Sequence, residues 1–221
     1  RCVTERAGHD GLPVSFQPLR TCMTALLPRL LPVTGALAAI VFVAAVAGFG
    51  VALSGYSQVW HPVAVLGAKG VPHALGFNLL GFVLTGVLAA VAALDLRHRL
   101  PADAGWPARV GTQLLLLSAM GFIALGVLPL DPDDLHNEAS SLHATAWLLW
   151  WVAFVPGAAL FAFGMRGRSR WRPVVTASIV AAAVVLFSAL IALALMPAGI
   201  AQRLGYAAWL GWLCVASRAG R

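Results

Sequence analysis

The sequence predicts an all-α fold: an integral membrane bundle of six transmembrane helices with both termini cytoplasmic. Three observations carry this. Sixty per cent of the residues are hydrophobic and only 10% are charged, against roughly 25% charged in soluble domains. The apolar residues fall in long runs near 31–54, 71–94, 110–130, 142–165, 174–196 and 199–217, each close to the roughly 20 residues that cross a bilayer core. The arginines gather in alternate connections between these runs. Helices follow because hydrocarbon offers no partner to the backbone, and a membrane barrel would instead show short alternating strands. The runs fill 31–218, which leaves no room for a soluble domain.

In chain order, residues 1–30 are polar and turn-rich (RAGHDGLPVSFQP) and read as a disordered cytoplasmic tail. Met23, directly before the first run, is a candidate natural start. That run is too long for the roughly 7–15-residue apolar core of a signal peptide, so it is expected to stay in the membrane. Like the fifth run (ASIVAAAVVLFSALIALAL), it is rich in Ala and Gly (GALAAIVFVAAVAGFG), and small residues let membrane helices approach closely. The second run holds the strongest intramembrane polar residue, Asn78, on one face with Gly81 and Thr85. Hydrogen bonding to a neighbouring helix is its expected role. Asp95 ends that run beside Arg97 and Arg99, where local ion pairing suffices.

Orientation comes from the arginines. RHRLPADAGWPAR, RGRSRWRP, Arg20 and Arg29 before the first run, and Arg218 and Arg221 after the last are basic, and basic loops face the cytoplasm. Of the 15 Lys and Arg residues, only Lys69 and Arg203 then lie outside. The net charge of +7 is thus topogenic and points to anionic membrane lipids as partners, not to nucleic acid. Cys2, Cys22 and Cys214 fall on the inner side, where thiols stay reduced, and no disulfide or zinc motif is readable.

The outer side receives the connections Ser54–His73, Pro129–His143 and Pro197–Arg203, with His61, His73, His136 and His143 among them. PLDPDDLHNEASSLH holds four of the chain's eight acidic residues. Asp131 before Pro132 favours a turn, and Asp133 or Asp134 is expected to cap the fourth helix. A start near Asp134 would place His136, Ser140, His143, Trp147 and Trp150 on one face, polar at the mouth and aromatic deeper. In the first connection, Tyr56, Ser57 and His61 follow the first run, and Gly67 and Gly70 flank Lys69, allowing it to fold over the bundle mouth towards an anionic group.

Two functions fit such a mouth. One is non-catalytic binding of a lipid-like or isoprenoid-like amphipathic molecule in an outward-facing, polar-rimmed pocket. Its ligand-binding candidates are Tyr56, Ser57, His61, Lys69, His73, Asn78, Asp131, His136, His143 and Trp147. The other is a membrane-embedded enzyme, a metal-dependent hydrolase or an acid/base-driven lipid- or isoprenoid-modifying enzyme, with Asp131, His143 and His61 as catalytic candidates. No cofactor is expected, and zinc is the minor alternative. His136 and His143 stand about 10 Å apart along a helix, whereas paired helical ligands sit four residues apart. The same residues also have plainer readings in capping, solvation and topology. No G-x-S-x-G, Walker A, H-E-x-x-H or G-x-G-x-x-G motif occurs, and the halves show no inverted repeat, which disfavours ion transport through the middle.

The block SGYSQVWHPVAVLGAKGVPHALGFNLLGFVLTG, then GVLPLDP followed by His136 or His143, then MPAGIAQRLGYAAWLGWL, resembles a six-span bacterial and archaeal membrane family known as domain of unknown function 998 (DUF998). The resemblance covers roughly Leu31 to Arg218. It implies a six-helix protein of the bacterial plasma membrane with no established activity. It marks Tyr56, Ser57, His61, Pro62, Gly67, Gly70, Asn78, Asp131, Pro132 and His143 as positions of interest, while Asp133, Asp134 and His136 look particular to this chain.

Overall fold

The computed structural model describes residues 31–221. The predicted tail, the candidate start at Met23, and Cys2 and Cys22 lie outside the described residues. Among those described, every regular element is helical. Each apolar run carries one long helix: α1 (Thr34–Ala52), α2 (Ala74–His98), α3 (Trp106–Val127), α4 (Glu138–Met165), α5 (Arg172–Leu190) and α6 (Ala198–Ala216). The first five helical segments are long and apolar enough to cross a membrane, so the chain is a multi-pass membrane protein. Helix α6 has the length, but Gln202 and Arg203 near its start lower its apolar character.

The side-chain distribution is that of a protein solvated by lipid. Ile40, Val43, Val51, Leu75, Ile179 and Val180 are exposed, whereas the interior is built from alanines and a chain of aromatic rings. Phe122 lies at its centre, 4.4 Å from Trp209, 5.5 Å from Tyr206 and 5.5 Å from Phe82 between ring centroids. Trp150 closes the cluster against Tyr206 at 4.9 Å.

Cross-contacts fix the helix directions. Gly126 of α3 meets Asn78 of α2, and Gly86 meets Ala119 and Ile123; these paired positions run in opposite senses, so α2 and α3 are antiparallel. By the same reasoning Gly111 beside Phe161, Gly121 beside Trp150, and Gly164 beside Ala108 make α3 and α4 antiparallel. Trp212 donates its indole N–H to Ser178 at 2.8 Å and Ser188 bonds the Ala201 carbonyl, which sets α5 against α6 in the same way. One end of the bundle therefore collects the acidic connection, and the other collects every described arginine except Arg203.

Small residues set how closely the helices approach. A Cβ on Gly111 would lie 2.6 Å from the Phe161 backbone nitrogen, and one on Gly164 would lie 2.5 Å from the Ala108 nitrogen. Both contacts are with backbone, which cannot rotate aside. Ser118 adds a hydroxyl donated to the Trp150 carbonyl at 2.8 Å.

At the basic end, Asp95 is buried and accepts from Arg99 at 2.7 Å and Arg221 at 2.6 Å. The expected pairing with Arg99 is present; Arg97 instead donates to the Arg109 carbonyl at 3.2 Å. The helix explains the difference, because i+4 lies over Asp95 while i+2 points away from it. Asp103 and Arg168 join the two basic connections at 2.8 Å.

Replacing Gly111 or Gly164 by Ala should lower stability by about 1–3 kcal/mol, the usual cost of overpacking. Reversible unfolding in mixed detergent micelles measures this, and an unchanged midpoint would contradict the close seam.

Candidate functional site

Two clusters organise the acidic end. The first joins the α1–α2 connection to α6. Arg203 donates to the His61 carbonyl at 3.0 Å, the Gly199 carbonyl at 2.8 Å and the Tyr56 hydroxyl at 2.7 Å, and it also pairs with the Gln58 side-chain oxygen. Gln58 donates in turn to the Val46 carbonyl at 3.0 Å, and Gln202 accepts from the Val63 N–H at 2.6 Å. A planar guanidinium can serve several acceptors in fixed directions, which suits it to hold a loop. Burial raises the Tyr56 pKa against the opposing pull of Arg203. The phenol stays neutral and donates to the Pro62 carbonyl at 3.3 Å.

The second cluster joins the same connection to the segment between α3 and α4. The Lys69 N–H donates to the Leu130 carbonyl at 2.8 Å, and its ammonium lies 3.5 Å from the Asp131 carboxylate. Lys69 does fold over towards an anionic group, and that group belongs to the chain itself. Asp131 also accepts from the Asn137 amide at 2.9 Å and the Asp133 N–H at 3.3 Å. The Asn137 hydrogen bond, with Lys69 adding its charge, lowers the Asp131 pKa. Ser140 stitches the turn further: its hydroxyl accepts from the Asp131 N–H at 3.2 Å and lies 2.8 Å from the Asp134 carbonyl.

Helix α4 begins differently from the sequence expectation. Asn137, not Asp133 or Asp134, is its N-cap, accepting from the Ser140 N–H at 2.9 Å. Asp134 instead turns the chain before the helix by accepting from the His136 N–H at 2.9 Å. His136 therefore precedes the helix and is exposed, off the face formed by Ser140, His143, Trp147 and Trp150. A competing Asx turn shifted the start.

Beneath the clusters lie two buried polar residues. His143 places Nδ1 2.7 Å from the Leu128 carbonyl. A carbonyl only accepts, so Nδ1 carries the proton and Nε2 keeps a lone pair in the neutral ring. Asn78 donates to the Gly67 carbonyl at 2.9 Å; it holds a loop where a neighbouring helix was expected. A Cβ at Gly67 would fall 1.9 Å from the Asn78 side-chain oxygen, so only glycine admits this contact. That oxygen is buried and has no partner among the described residues. Asn78 opens a π-helical stretch, Asn78–Leu84, and the Thr85 hydroxyl just after it bonds the Leu80 carbonyl at 3.2 Å. Such stretches are frequent at functional sites. The Phe82 ring centroid lies 6.5 Å from that of His143.

The predicted site residues thus divide. Tyr56, Ser57 and His61 belong to the Arg203 cluster, where the His61 Nδ1 accepts from the Ser57 N–H at 2.9 Å. Lys69 and Asp131 form the second cluster, with Asn78 and His143 below. His73 is exposed and takes a left-handed φ of 62° just before α2. Trp147 is partly buried, and its ring lies 6.0 Å from Trp151. No hydrogen bond joins His61 or His143 to Asp131 among the described residues. Nor do three His, Cys, Asp or Glu side chains there group as metal ligands do. Sequence reasoning missed Arg203 and Asn137. A lone arginine on the otherwise uncharged sixth run was the available signal for the first.

A shallow apolar groove of about 290 Å³ runs along α3, lined by Met120, Ile123, Ala124, Val127 and Leu128. Its upper end is Leu128, whose carbonyl His143 holds, two residues before the Leu130 carbonyl that Lys69 holds. Residues 36–219 match the family described as "Protein of unknown function (DUF998)", and the chain belongs to that family. No curated protein and no solved structure matches the chain.

Because the folded connection lowers the Asp131 pKa, its ionised form contributes at neutral pH, and that contribution fades as pH falls through the depressed value. Amide exchange at Asp133, corrected for intrinsic rates, should therefore rise on acidification below the ordinary aspartate value of about 3.9. The Asp131→Asn protein should not show that acid-dependent rise. Arg203→Lys should raise exchange across Tyr56–His61 by about tenfold, as one ammonium cannot replace the guanidinium fork.

Proposed function

Starting from this family membership, we propose that the protein is a non-catalytic binder of a lipid-like or isoprenoid-like amphipathic molecule in the bacterial cell membrane. All six helices cross the bilayer, the arginine-rich connections and both termini face the cytoplasm by the positive-inside rule, and the acidic end faces out. The observation that supports the reading is that the apolar groove ends at Leu128, the residue whose carbonyl bonds His143. The oily body of the ligand lies along Met120 to Leu128, and its polar head meets Lys69 beside His143.

The closed pair supports this arrangement. Lys69 is half exposed and Asp131 is less so, and an exposed ion pair is weak enough to exchange partners. An anionic head can displace Asp131 from the ammonium, leaving the carboxylate held by Asn137 and the Asp133 N–H. The unpaired Asn78 oxygen and the His143 Nε2 lone pair offer acceptors for a hydroxyl or amide on the ligand.

Farnesyl phosphate and farnesol are suitable probes, followed by tryptophan fluorescence of the full chain in nanodiscs. Farnesyl phosphate should bind more tightly than the alcohol. Lys69→Ala should weaken it about three- to tenfold, and Asp131→Asn should tighten it by releasing the ammonium. A purely structural latch would instead make both substitutions change binding in the same direction or not at all, and the reading would fall. For topology, a Cys-free chain carrying Asp133→Cys should react with a membrane-impermeant maleimide on intact cells, whereas Arg168→Cys should not.

A further inference from the structure

We propose a second lipid site, at the opposite end of the bundle, that takes the phosphate headgroup of an anionic phospholipid. A groove of about 360 Å³ opens between the start of α5 and the end of α6. Arg170, Arg218 and Arg221 provide its charge, and Pro173, Val174 and Val215 its apolar wall. This inference is independent of the outward-facing ligand, since none of its residues lies in either cluster at the acidic end.

The charge balance favours an anion. Arg170 is exposed and makes no hydrogen bond or ion pair among the described residues. Arg218 uses one nitrogen on the Cys214 carbonyl at 3.3 Å and keeps its other donors. Arg221 bonds the Ser217 carbonyl at 3.1 Å and shares the Asp95 carboxylate with Arg99. Two guanidiniums on one carboxylate leave positive charge over, and the Nε and Nη1 atoms of Arg99 are buried without partners. Helix α5 begins at Arg172 with no acidic residue in its first turn, so its positive dipole end is also uncompensated.

The shape selects a lipid over a soluble anion. A phosphate alone would use the arginines and leave Pro173 and Val215 wet. A phospholipid places its phosphate among the guanidiniums while its acyl chains continue along the exposed apolar surface of α5, where Ile179 and Val180 face outward. Basic clusters where membrane helices meet the headgroup layer suit anionic lipids in this way, and arginine matches phosphate oxygens in pairs.

The test is native mass spectrometry of the full chain from mild detergent containing equal amounts of dioleoyl phosphatidylglycerol and dioleoyl phosphatidylcholine. The wild type should retain phosphatidylglycerol preferentially. Arg170→Gln with Arg218→Gln should reduce that preference by on the order of twentyfold, about fivefold per arginine, and Arg170→Lys with Arg218→Lys should keep most of it. Equal retention of the two lipids by the wild type would overturn the proposal, as would a preference that survives the double Gln change. Inorganic phosphate at millimolar concentration should not displace the lipid; complete displacement would make this a site for a soluble anion instead. Lys69→Ala, which addresses the outward-facing ligand, should leave the preference unchanged.

Discussion

Inside a membrane, helices have no hydrophobic reason to meet, because lipid tails are as apolar as the side chains that would be buried. The α3–α4 seam supplies another reason. Gly111, Gly121 and Gly164 bring backbone against backbone, and dispersion between closely packed atoms replaces the absent hydrophobic drive. Ser118, bonded to the Trp150 carbonyl, fixes the register of that seam. The register then decides that His143 arrives opposite Leu128. The start of the α3–α4 segment inherits its position from this contact.

The two covering connections are held by different means. The α1–α2 connection is held from α6, where Arg203 binds the His61 carbonyl and Gln202 the Val63 amide directly. The α3–α4 segment is held by its own turn chemistry through Asp131, Asp134, Asn137 and Ser140. Among the described residues, only the Lys69 contacts with Leu130 and Asp131 hydrogen-bond or ion-pair the two connections to each other. A lid fastened at each end and joined by one exposed ion pair can part at that pair without unfolding its anchors.

The helices were legible in the sequence because hydrophobic runs of bilayer length have few alternatives. The inward turn of Asn78, Gly81 and Thr85 was legible too, and all three are buried. The start of α4 was not. In PDDLHNEAS, Asp133, Asp134 and Asn137 are all competent caps, and only the tertiary demand that Ser140 reach back to Asp131 selects Asn137. The partner of Asn78 was hidden for a related reason: its contact depends on Gly67 lying over it, a loop geometry that helical periodicity does not encode. The π-helical stretch carries no composition signal at all. The histidines illustrate the limit most plainly. Their common side of the bundle follows from topology, yet His61 serves a turn, His73 precedes a helix, and only His143 is buried.

The two ends of the molecule treat charge in opposite ways. At the acidic end Lys69 faces a carboxylate that has other hydrogen-bond donors, so the lysine can change partners while Asp131 stays satisfied. At the basic end a single buried carboxylate already holds two arginines, and it cannot also serve Arg170 and Arg218. Positive charge that merely fixed topology would be expected on freely solvated side chains. Here part of it borders a groove with an apolar wall, next to a guanidinium whose inner nitrogens are already dry. A phosphate in that groove would pair with the exposed guanidiniums of Arg170 and Arg218, which no carboxylate among the described residues serves, and the headgroup layer is where phosphate is most abundant. Arginines that orient the chain during insertion can therefore also bind the lipid that surrounds it afterwards.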